Sequence, residues 1–186
     1  MLYKKIYKSL VGNILIVFDE EALFGLYLYS QNEFAEKLKD SEIILIDDEV
    51  LFSSKEEDYK ILRLTETWLD KYFSEGDPSY IPPIKVYGSK FRKDVWDILH
   101  KIPYGETRTY NEVGKALIAS GKYERVYNQA VGGAVGHNPI SLMIPCHRVI
   151  GSDESLRGYA GGVDVKRKLL EFEGKKKNKK GLLKNT

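Results

Sequence analysis

The sequence predicts an α/β (α+β) protein with a strand-rich first half and a helical second half. Three observations predict this class: apolar and polar residues alternate over the first thirty positions, the apolar spacing becomes helical after Ile81-Pro82-Pro83, and the net charge reverses at the same place. The chain has 186 residues, of which 42% are hydrophobic, enough for one or two domains. We expect a first domain over residues 1–84, a second over residues 85–174 and a basic, disordered tail over residues 175–186.

The first half is expected to contain a small sheet and two helices. The alternating residues predict an antiparallel meander of three strands, and residues 42–46 predict a further strand. Residues 32–39 predict a short helix. Residues 56–73 carry apolar side chains at helical spacing and are followed by Gly76-Asp77-Pro78, so they predict a long helix that ends there.

The second half is expected to be mostly helical. Its apolar spacing predicts helices at residues 90–100, 110–120, 124–135 and 163–173. Ser89 and Thr109 precede the first two and are favourable N-cap residues. The second and third helices are joined by a turn, which is typical of a helix-turn-helix but also of many other helical domains.

The third predicted helix is rich in small residues. Ala130, Gly132, Gly133, Ala134 and Gly136 leave little side chain on it. A helix of this kind lets its backbone approach a bulky partner closely, and it equally allows tight packing against the cysteine segment that follows. The sequence leaves both interpretations open.

The charge is distributed very unevenly along the chain. Residues 1–84 carry 9 Lys and Arg against 17 Asp and Glu, a net charge of −8, whereas residues 85–186 carry 20 against 10, a net charge of +10. The second half remains at +4 without the six lysines of the tail. This asymmetry predicts a polyanionic partner for the second half.

Several classes of protein are excluded by simple features. The chain has no run of apolar residues long enough to span a membrane and no secretory signal at its start, so we expect a cytoplasmic protein that does not bind membranes. It has neither a phosphate-binding loop nor a dinucleotide fingerprint. A single cysteine excludes an intramolecular disulfide and a multi-cysteine zinc site, so we expect no metal. Because both nucleotide-binding motifs are missing, we also expect no cofactor.

The single cysteine, Cys146, lies in the segment Ile144-Pro145-Cys146-His147-Arg148-Val149-Ile150, which predicts a strand after the cysteine. A thiol reacts as its thiolate, which nearby positive charge or a histidine base favours. Free cysteines more often pack as small hydrophobic residues. The adjacent His147 and Arg148 favour a nucleophile, since neither belongs in a core without a partner.

These residues form part of an ordered series of motifs that resembles the O6-alkylguanine-DNA alkyltransferases over about residues 85–174. The motifs are Phe91-Arg92-Lys93-Asp94-Val95-Trp96, Ile102-Pro103-Tyr104-Gly105, Thr109-Tyr110, Ala130-Val131-Gly132-Gly133-Ala134, Asn138-Pro139, Pro145-Cys146-His147-Arg148-Val149, Gly158-Tyr159-Ala160-Gly161-Gly162 and Leu169-Leu170 to Glu173-Gly174. The resemblance implies a ribonuclease-H-like first domain and a winged-helix-like second domain with a helix-turn-helix.

The resemblance also implies a function and a partner. The protein would bind double-stranded DNA through the minor groove as a monomer, flip out an O6-alkylguanine nucleotide and transfer the alkyl group to Cys146 without a cofactor. Each chain would react once. The range of alkyl groups, and activity on O4-alkylthymine, stay open.

Five residues would have roles in the reaction by their place in the motifs. Cys146 would be the nucleophile and His147 the base that takes its proton through a bridging water. Glu173 would orient His147, and Asn138 would hold the turn before the active-site segment. Tyr110 would press on the phosphate 3′ to the target and donate towards the purine N3.

The other expected site residues belong to two groups. The DNA-binding group comprises Asn111, Gln129, Ala130, Gly132, Gly133, Arg148 and Ser152, and the base pocket comprises Val135, Val149, Tyr159 and Ala160. Gln129 occupies the position where the family commonly has an arginine that fills the gap left by the flipped base. Because glutamine brings no charge, we expect weaker extrusion, or a larger contribution from Lys122, Arg125 and the tail.

Three alternative functions remain. A non-reacting relative would bind alkylated bases only, but tryptophan commonly replaces the nucleophile in that branch. A winged-helix DNA-binding regulator would leave the Pro-Cys-His-Arg segment unexplained. A Cys-His hydrolase would need an oxyanion site that the sequence does not predict.

Overall fold

The computed structural model describes residues 1–28, 43–55, 58–156 and 159–183, with side chains up to residue 174. The helix predicted at residues 32–39 and the motif residue Gly158 lie outside this described part. The chain forms two compact units, Met1–Val86 and Tyr87–Thr186.

The first unit contains a four-stranded sheet. Its strands are β1 (Leu2–Ser9), β2 (Gly12–Phe18), β3 (Leu23–Leu28) and β4 (Ile43–Leu45), in the order β3-β2-β1-β4. The pairs β1–β2 and β2–β3 are antiparallel, which confirms the predicted meander, and β4 pairs with β1 in parallel.

Two helices of the first unit follow β4: α1 (Asp48–Ser53) and α2 (Lys60–Ser74). The sequence did not predict α1, although Asp47 caps it by accepting a hydrogen bond from the Val50 amide at 2.8 Å. The helix α2 begins later than predicted because Tyr59 adopts a left-handed backbone with φ 52°. Its apolar face packs on strands β1 to β3.

The described residues of the second unit form four α-helices and a short parallel pair of strands. The helices are α3 (Lys90–Leu99), α4 (Tyr110–Ala119), α5 (Asn128–Gly136) and α6 (Val163–Leu183), and the strands are β5 (Arg108–Thr109) and β6 (Val149–Ile150). The strand predicted after the cysteine is therefore short, and a 3₁₀ turn over Cys146–Arg148 precedes it.

The predicted caps of α3 and α4 are present. The Ser89 hydroxyl accepts a hydrogen bond from the Arg92 amide at 3.3 Å. Thr109 and Glu112 form a reciprocal capping box, with the Glu112 amide 3.2 Å from the Thr109 hydroxyl. The prediction was correct here because capping depends on neighbouring residues alone.

Two helix ends differ from the sequence prediction. The helix α5 begins at Asn128 rather than near Glu124, because Tyr127 has an extended backbone with φ −95° and ψ 136°. The helix α6 continues to Leu183, so its backbone is helical over most of the tail for which we expected disorder. Lysine and leucine favour helix, and the tail contains no proline that would end it.

The second unit brings the cysteine turn next to the start of α4. The parallel pairing of β5 with β6 places Thr109, the cap of α4, opposite Ile150. The Trp96 indole on α3 donates a hydrogen bond to the Ala134 carbonyl on α5 at 2.9 Å, and both residues are buried. These contacts hold the start of α4 next to the cysteine turn and tie α3 to α5.

Candidate active site

Cys146 is the first residue of the 3₁₀ turn and only 2% exposed. Its amide donates to the Ile144 carbonyl at 2.7 Å, and the Val149 amide closes the turn by donating to the Cys146 carbonyl. Burial raises the pKa of the Cys146 thiol, although a hydrogen bond from Asn138 and the charge of Lys166 act in the opposite direction. At neutral pH the thiol therefore needs a base to take its proton.

His147 and Glu173 form a fully buried pair. The Nε2 atom of His147 lies 2.9 Å from Oε1 of Glu173, and both side chains are 0% exposed. Burial lowers the pKa of His147, and the neighbouring Glu173 carboxylate only partly opposes this effect. A neutral imidazole that donates from Nε2 to the carboxylate keeps its lone pair on Nδ1, where it can accept a proton.

Arg148 is buried and completes the charge set of His147 and Glu173. Its Nε donates to Oε2 of Glu173 at 2.9 Å and its Nη2 to Oε1 at 2.8 Å, while Nη1 donates to the Ile102 carbonyl at 2.7 Å. Burial raises the pKa of the Glu173 carboxyl, but the charges and hydrogen bonds of His147 and Arg148 outweigh burial and lower that pKa below its usual value. Glu173 is thus an anion.

The position of Arg148 corrects the prediction that it binds DNA. The residue is 6% exposed, and its guanidinium lies 5.4 Å from the centroid of the Tyr104 ring. A guanidinium matches a carboxylate in bidentate geometry. Glu173 binds the Arg148 guanidinium in this way inside the unit, so that group does not reach a DNA phosphate. The Gly105 amide also donates to Glu173, at 3.0 Å.

Asn138 ties the end of α5 to the cysteine segment. It is 1% exposed, its Nδ2 donates to the Ile144 carbonyl at 2.7 Å, and its Oδ1 accepts from the Ile140 amide at 3.0 Å. The Asn138 side chain also opposes the rise in the pKa of Cys146 that burial causes. The hydrogen bonds to Ile140 and Ile144 fit the turn-holding role that we expect for Asn138.

Lys166 is a residue of this site that the sequence analysis missed. It is 0% exposed, and its Nζ donates to the Val149 carbonyl at 2.5 Å. The same ammonium lies 5.9 Å from the Tyr110 ring centroid and 6.0 Å from that of Tyr159. The sequence did carry a signal for Lys166. Lys166, Leu169 and Glu173 stand at i, i+3 and i+7, the spacing of one helix face, and Leu169 and Glu173 are buried.

A groove beside α5 collects part of the expected DNA-binding residues. It encloses about 500 Å³, and we call it the α5 groove. It is lined by Tyr110, Asn128, Gln129, Gly132, Gly151, Ser152, Asp153 and Ser155. Four of these, Tyr110, Gln129, Gly132 and Ser152, are site residues expected from the sequence.

The remaining predicted residues differ in their exposure. Asn111, Ala130 and Gly133 are exposed, and a Cβ atom added at Gly133 would meet nothing within 4 Å. Val135 and Val149 are buried and Ala160 is half-buried. Tight packing therefore does not explain the small residue at 133, whereas Ala134 is buried against α3.

Comparison with known proteins identifies the family. Residues 90–175 match the family model described as 6-O-methylguanine DNA methyltransferase, DNA binding domain. The chain is 38% identical over 173 residues to the methylated-DNA–protein-cysteine methyltransferase of Methanosarcina acetivorans, and this match covers 93% of the chain and 99% of that relative. The chain belongs to the methylated-DNA–protein-cysteine methyltransferase family.

Further members of the methyltransferase family agree. The protein of Methanosarcina barkeri with the same description is 40% identical over 172 residues, which cover 92% of the chain and 97% of that relative. The crystal structure of Mycobacterium tuberculosis OGT in complex with DNA superposes with a TM-score of 0.75 at 29% identity and covers 94% of both chains. These findings confirm the family suggested by the motifs and the mixed α/β class.

Two further findings concern all the described residues of this methyltransferase. Within residues 1–28, 43–55, 58–156 and 159–183, no three His, Cys, Asp or Glu residues come together as a possible metal site. In the same part of the chain, no helix is both long and apolar enough to cross a membrane.

Proposed function

We propose that this protein repairs DNA by transferring the alkyl group of O6-alkylguanine to Cys146, once per chain. The observation that carries the proposal is 38% identity to a methylated-DNA–protein-cysteine methyltransferase across 93% of the chain, combined with a buried cysteine whose neighbouring His147 is held by Glu173. The chain has no second cysteine that would regenerate the first, so the reaction is stoichiometric.

The reaction consists of proton removal from Cys146, attack on the alkyl carbon and protonation of the guanine. His147 takes the thiol proton of Cys146 through a bridging water, for which its buried Nδ1 is suited because it makes no hydrogen bond to another described residue. The thiolate attacks the alkyl carbon, a C–S bond forms, and the C–O6 bond breaks with its electron pair moving into the purine. The guanine takes up one proton, so the net reaction moves the thiol proton to the base.

The charges around His147 support this sequence of steps. When His147 becomes positive, Glu173 is already an anion within 2.9 Å. Arg148 keeps that carboxylate ionised through two hydrogen bonds. The Asn138 side chain acts to lower the pKa of Cys146, which favours the thiolate. Because the site is buried, each of these electrostatic effects is stronger than it would be in water.

The target oxygen lies inside the duplex, so the nucleotide must leave the stack at a cost of about a few kcal/mol. We propose that α5 enters the minor groove, since Gln129 and Gly133 are exposed beside the α5 groove. Gln129 then fills the gap in the duplex. Of the basic residues expected to assist it, Lys122 is paired with Asp94, whereas the Arg125 guanidinium lies 5.6 Å from the centroid of the Tyr127 ring.

The finer features of the architecture belong to the same proposal. The parallel addition of β4 to an antiparallel meander supports a ribonuclease-H-like first domain. The pair α4 and α5, with the β5–β6 pair beside it, supports a winged-helix-like second domain. The domain limits, the cytoplasmic location, the monomeric state and any activity on O4-alkylthymine stay predictions.

One experiment tests the proposed function. The purified protein is incubated with a duplex that contains O6-methylguanine, and the intact mass is measured against the molar ratio of duplex to protein. We expect one added methyl group per chain, mapped to Cys146, and none in Cys146→Ala. Tight binding with an unchanged mass would instead support the binding-only relative or the regulator.

A further inference from the structure

Tyr127 is an aromatic residue that the proposed reaction does not use. It directly precedes α5 and is 64% exposed. Tyrosine is enriched in binding interfaces, because its ring gives a large apolar contact area and its hydroxyl a polar one. An exposed tyrosine at the start of the helix that carries Gln129 is therefore a candidate contact for the partner of that helix.

The residues on either side of Tyr127 show where its ring points. Val126 and Asn128 face α4, because a Cβ atom added at Gly114 of that helix would lie 3.7 Å from a side-chain atom of each. Tyr127 has an extended backbone, with φ −95° and ψ 136°, and successive side chains of an extended segment point to opposite sides. The Tyr127 ring therefore points away from α4.

Arg125 holds the Tyr127 ring on that outer side. Its Nη1 donates a hydrogen bond to the Tyr127 hydroxyl at 3.2 Å, and its guanidinium lies 5.6 Å from the ring centroid, within the range of cation–π interactions. Both residues are exposed. The pair thus presents a positive charge and an aromatic ring together, which are the groups that bind phosphates and unstacked bases.

Tyr127 lies close to the place where the proposed function puts the gap in the duplex. Two residues of chain span at most about 7 Å, so Tyr127 is within about two base-pair steps of 3.4 Å from Gln129, which fills that gap. The exposed residues of α5 carry neither a charge nor a ring: they are Asn128, Gln129, Ala130 and Gly133. Arg125 and Tyr127 supply both groups directly before the helix.

We infer that Tyr127 is a DNA-contacting residue whose ring packs on the sugar and base beside the flipped nucleotide, while Arg125 holds the ring and pairs with the adjacent phosphate. The inference rests on the proposed function for the place of α5 in the minor groove. Proteins that open the minor groove commonly insert a bulky side chain next to the disturbed step. Tyr127 then stabilises the opened duplex together with the uncharged Gln129.

Four variants separate the ring from the charge. Tyr127→Ala removes the ring, Tyr127→Phe keeps the ring without its hydroxyl, and Arg125→Gln removes the charge. Tyr87→Ala removes another exposed tyrosine of the second unit, 68% exposed, and is the matched control. All three positions are exposed, so every variant should fold, which circular dichroism checks.

The probe is a duplex with a stable abasic site, which offers an opened step without an alkylated base. Its affinity is measured by fluorescence anisotropy over a range of salt concentrations, beside an intact duplex of the same sequence. We expect Tyr127→Ala to bind the abasic duplex roughly tenfold more weakly, the usual size of a lost aromatic stacking contact, with a smaller loss on the intact duplex. Tyr127→Phe and Tyr87→Ala should stay close to the unchanged protein.

The charge of Arg125 has a separate signature. Arg125→Gln should make the slope of log K against log salt less negative by about 0.9, whereas Tyr127→Ala should leave that slope unchanged. Equal affinities of Tyr127→Ala and Tyr87→Ala for the abasic duplex would overturn the inference. An equal loss on both duplexes would do the same, because the ring would then not contact the opened step.

A parallel assay separates this inference from the proposed function. Alkyl transfer from the O6-methylguanine duplex is measured in the unchanged protein and in Tyr127→Ala, and we expect slower transfer in the variant at low duplex concentration. Absent transfer in the unchanged protein, together with weaker abasic binding by Tyr127→Ala, would refute the proposed function and leave the DNA contact intact. Normal transfer in both proteins, with equal abasic binding, would overturn the inference alone.

Discussion

Replacing Glu173 by glutamine tests the buried charge set most directly. The carboxylate interacts with four donors: Nε and Nη2 of Arg148, the Gly105 amide and Nε2 of His147. An amide has one oxygen, so its NH₂ group must face two of these donors whichever way it is turned. Two buried donors then lose their acceptor, and the Arg148 guanidinium loses its counter-charge.

We expect this substitution to lower the free energy of unfolding by about 3 to 5 kcal/mol, which is the usual effect of removing one partner of a buried ion pair. For a chain of this size that corresponds to a fall in Tm of roughly 6 to 20 °C. The alkyl-transfer rate should also fall by about a hundredfold or more, because His147 loses the group that fixes its tautomer.

The assay combines urea unfolding, followed by circular dichroism, with single-turnover transfer from the O6-methylguanine duplex. Glu171→Gln, on the exposed side of the same helix, is the matched control and should change stability by less than about 0.5 kcal/mol. If Glu173→Gln unfolds at the same urea concentration as Glu171→Gln, the buried charge set does not stabilise the unit and our reasoning is wrong.

Three further changes have defined outcomes. Asn138→Ala removes hydrogen bonds to Ile140 and Ile144, so we expect a loss of about 2 to 4 kcal/mol in urea unfolding and slower transfer; an unchanged transfer rate would contradict its contact with the thiol. Gln129→Arg should tighten duplex binding, speed transfer and make the slope of log K against log salt more negative by about 0.9, whereas an equal slope and rate would refute the idea that charge is missing there. The folded chain lowers the pKa of Glu173, so its stabilisation is complete above the ordinary value of 4.5 and is lost as acid protonates it; the fall in unfolding free energy below that pH should be smaller in Glu173→Gln.

The elements that the sequence predicted well depend on local chemistry. Alternating apolar residues specify the strands of the first unit, and Ser89 and Thr109 cap α3 and α4 through their own amide neighbours. The start of α5 was placed too early because the residues after Glu124 carry no strong helix-breaking signal, whereas Tyr127 has an extended backbone. Local patterns therefore locate an element better than they locate its ends.

The site was predictable only in part, because its charges pair across long separations. Motif positions named Cys146, His147 and Glu173, and the structure brings the last two within 2.9 Å. Arg148 belonged to the expected DNA-binding group, whereas the structure pairs it with Glu173. Its actual partner is 25 residues away in the sequence, on a helix whose orientation no local pattern gives.

Arg148 and Lys166 together explain how a buried cysteine can still be made reactive. Burial alone raises the pKa of Cys146 and lowers that of His147, so both effects oppose transfer of the proton between them. Arg148 counters this indirectly by keeping Glu173 ionised next to His147, and Lys166 counters it at Cys146. The charges of both cations also lower the pKa of His147 directly, so it is the Glu173 carboxylate, paired with both His147 and Arg148, that favours a protonated imidazole.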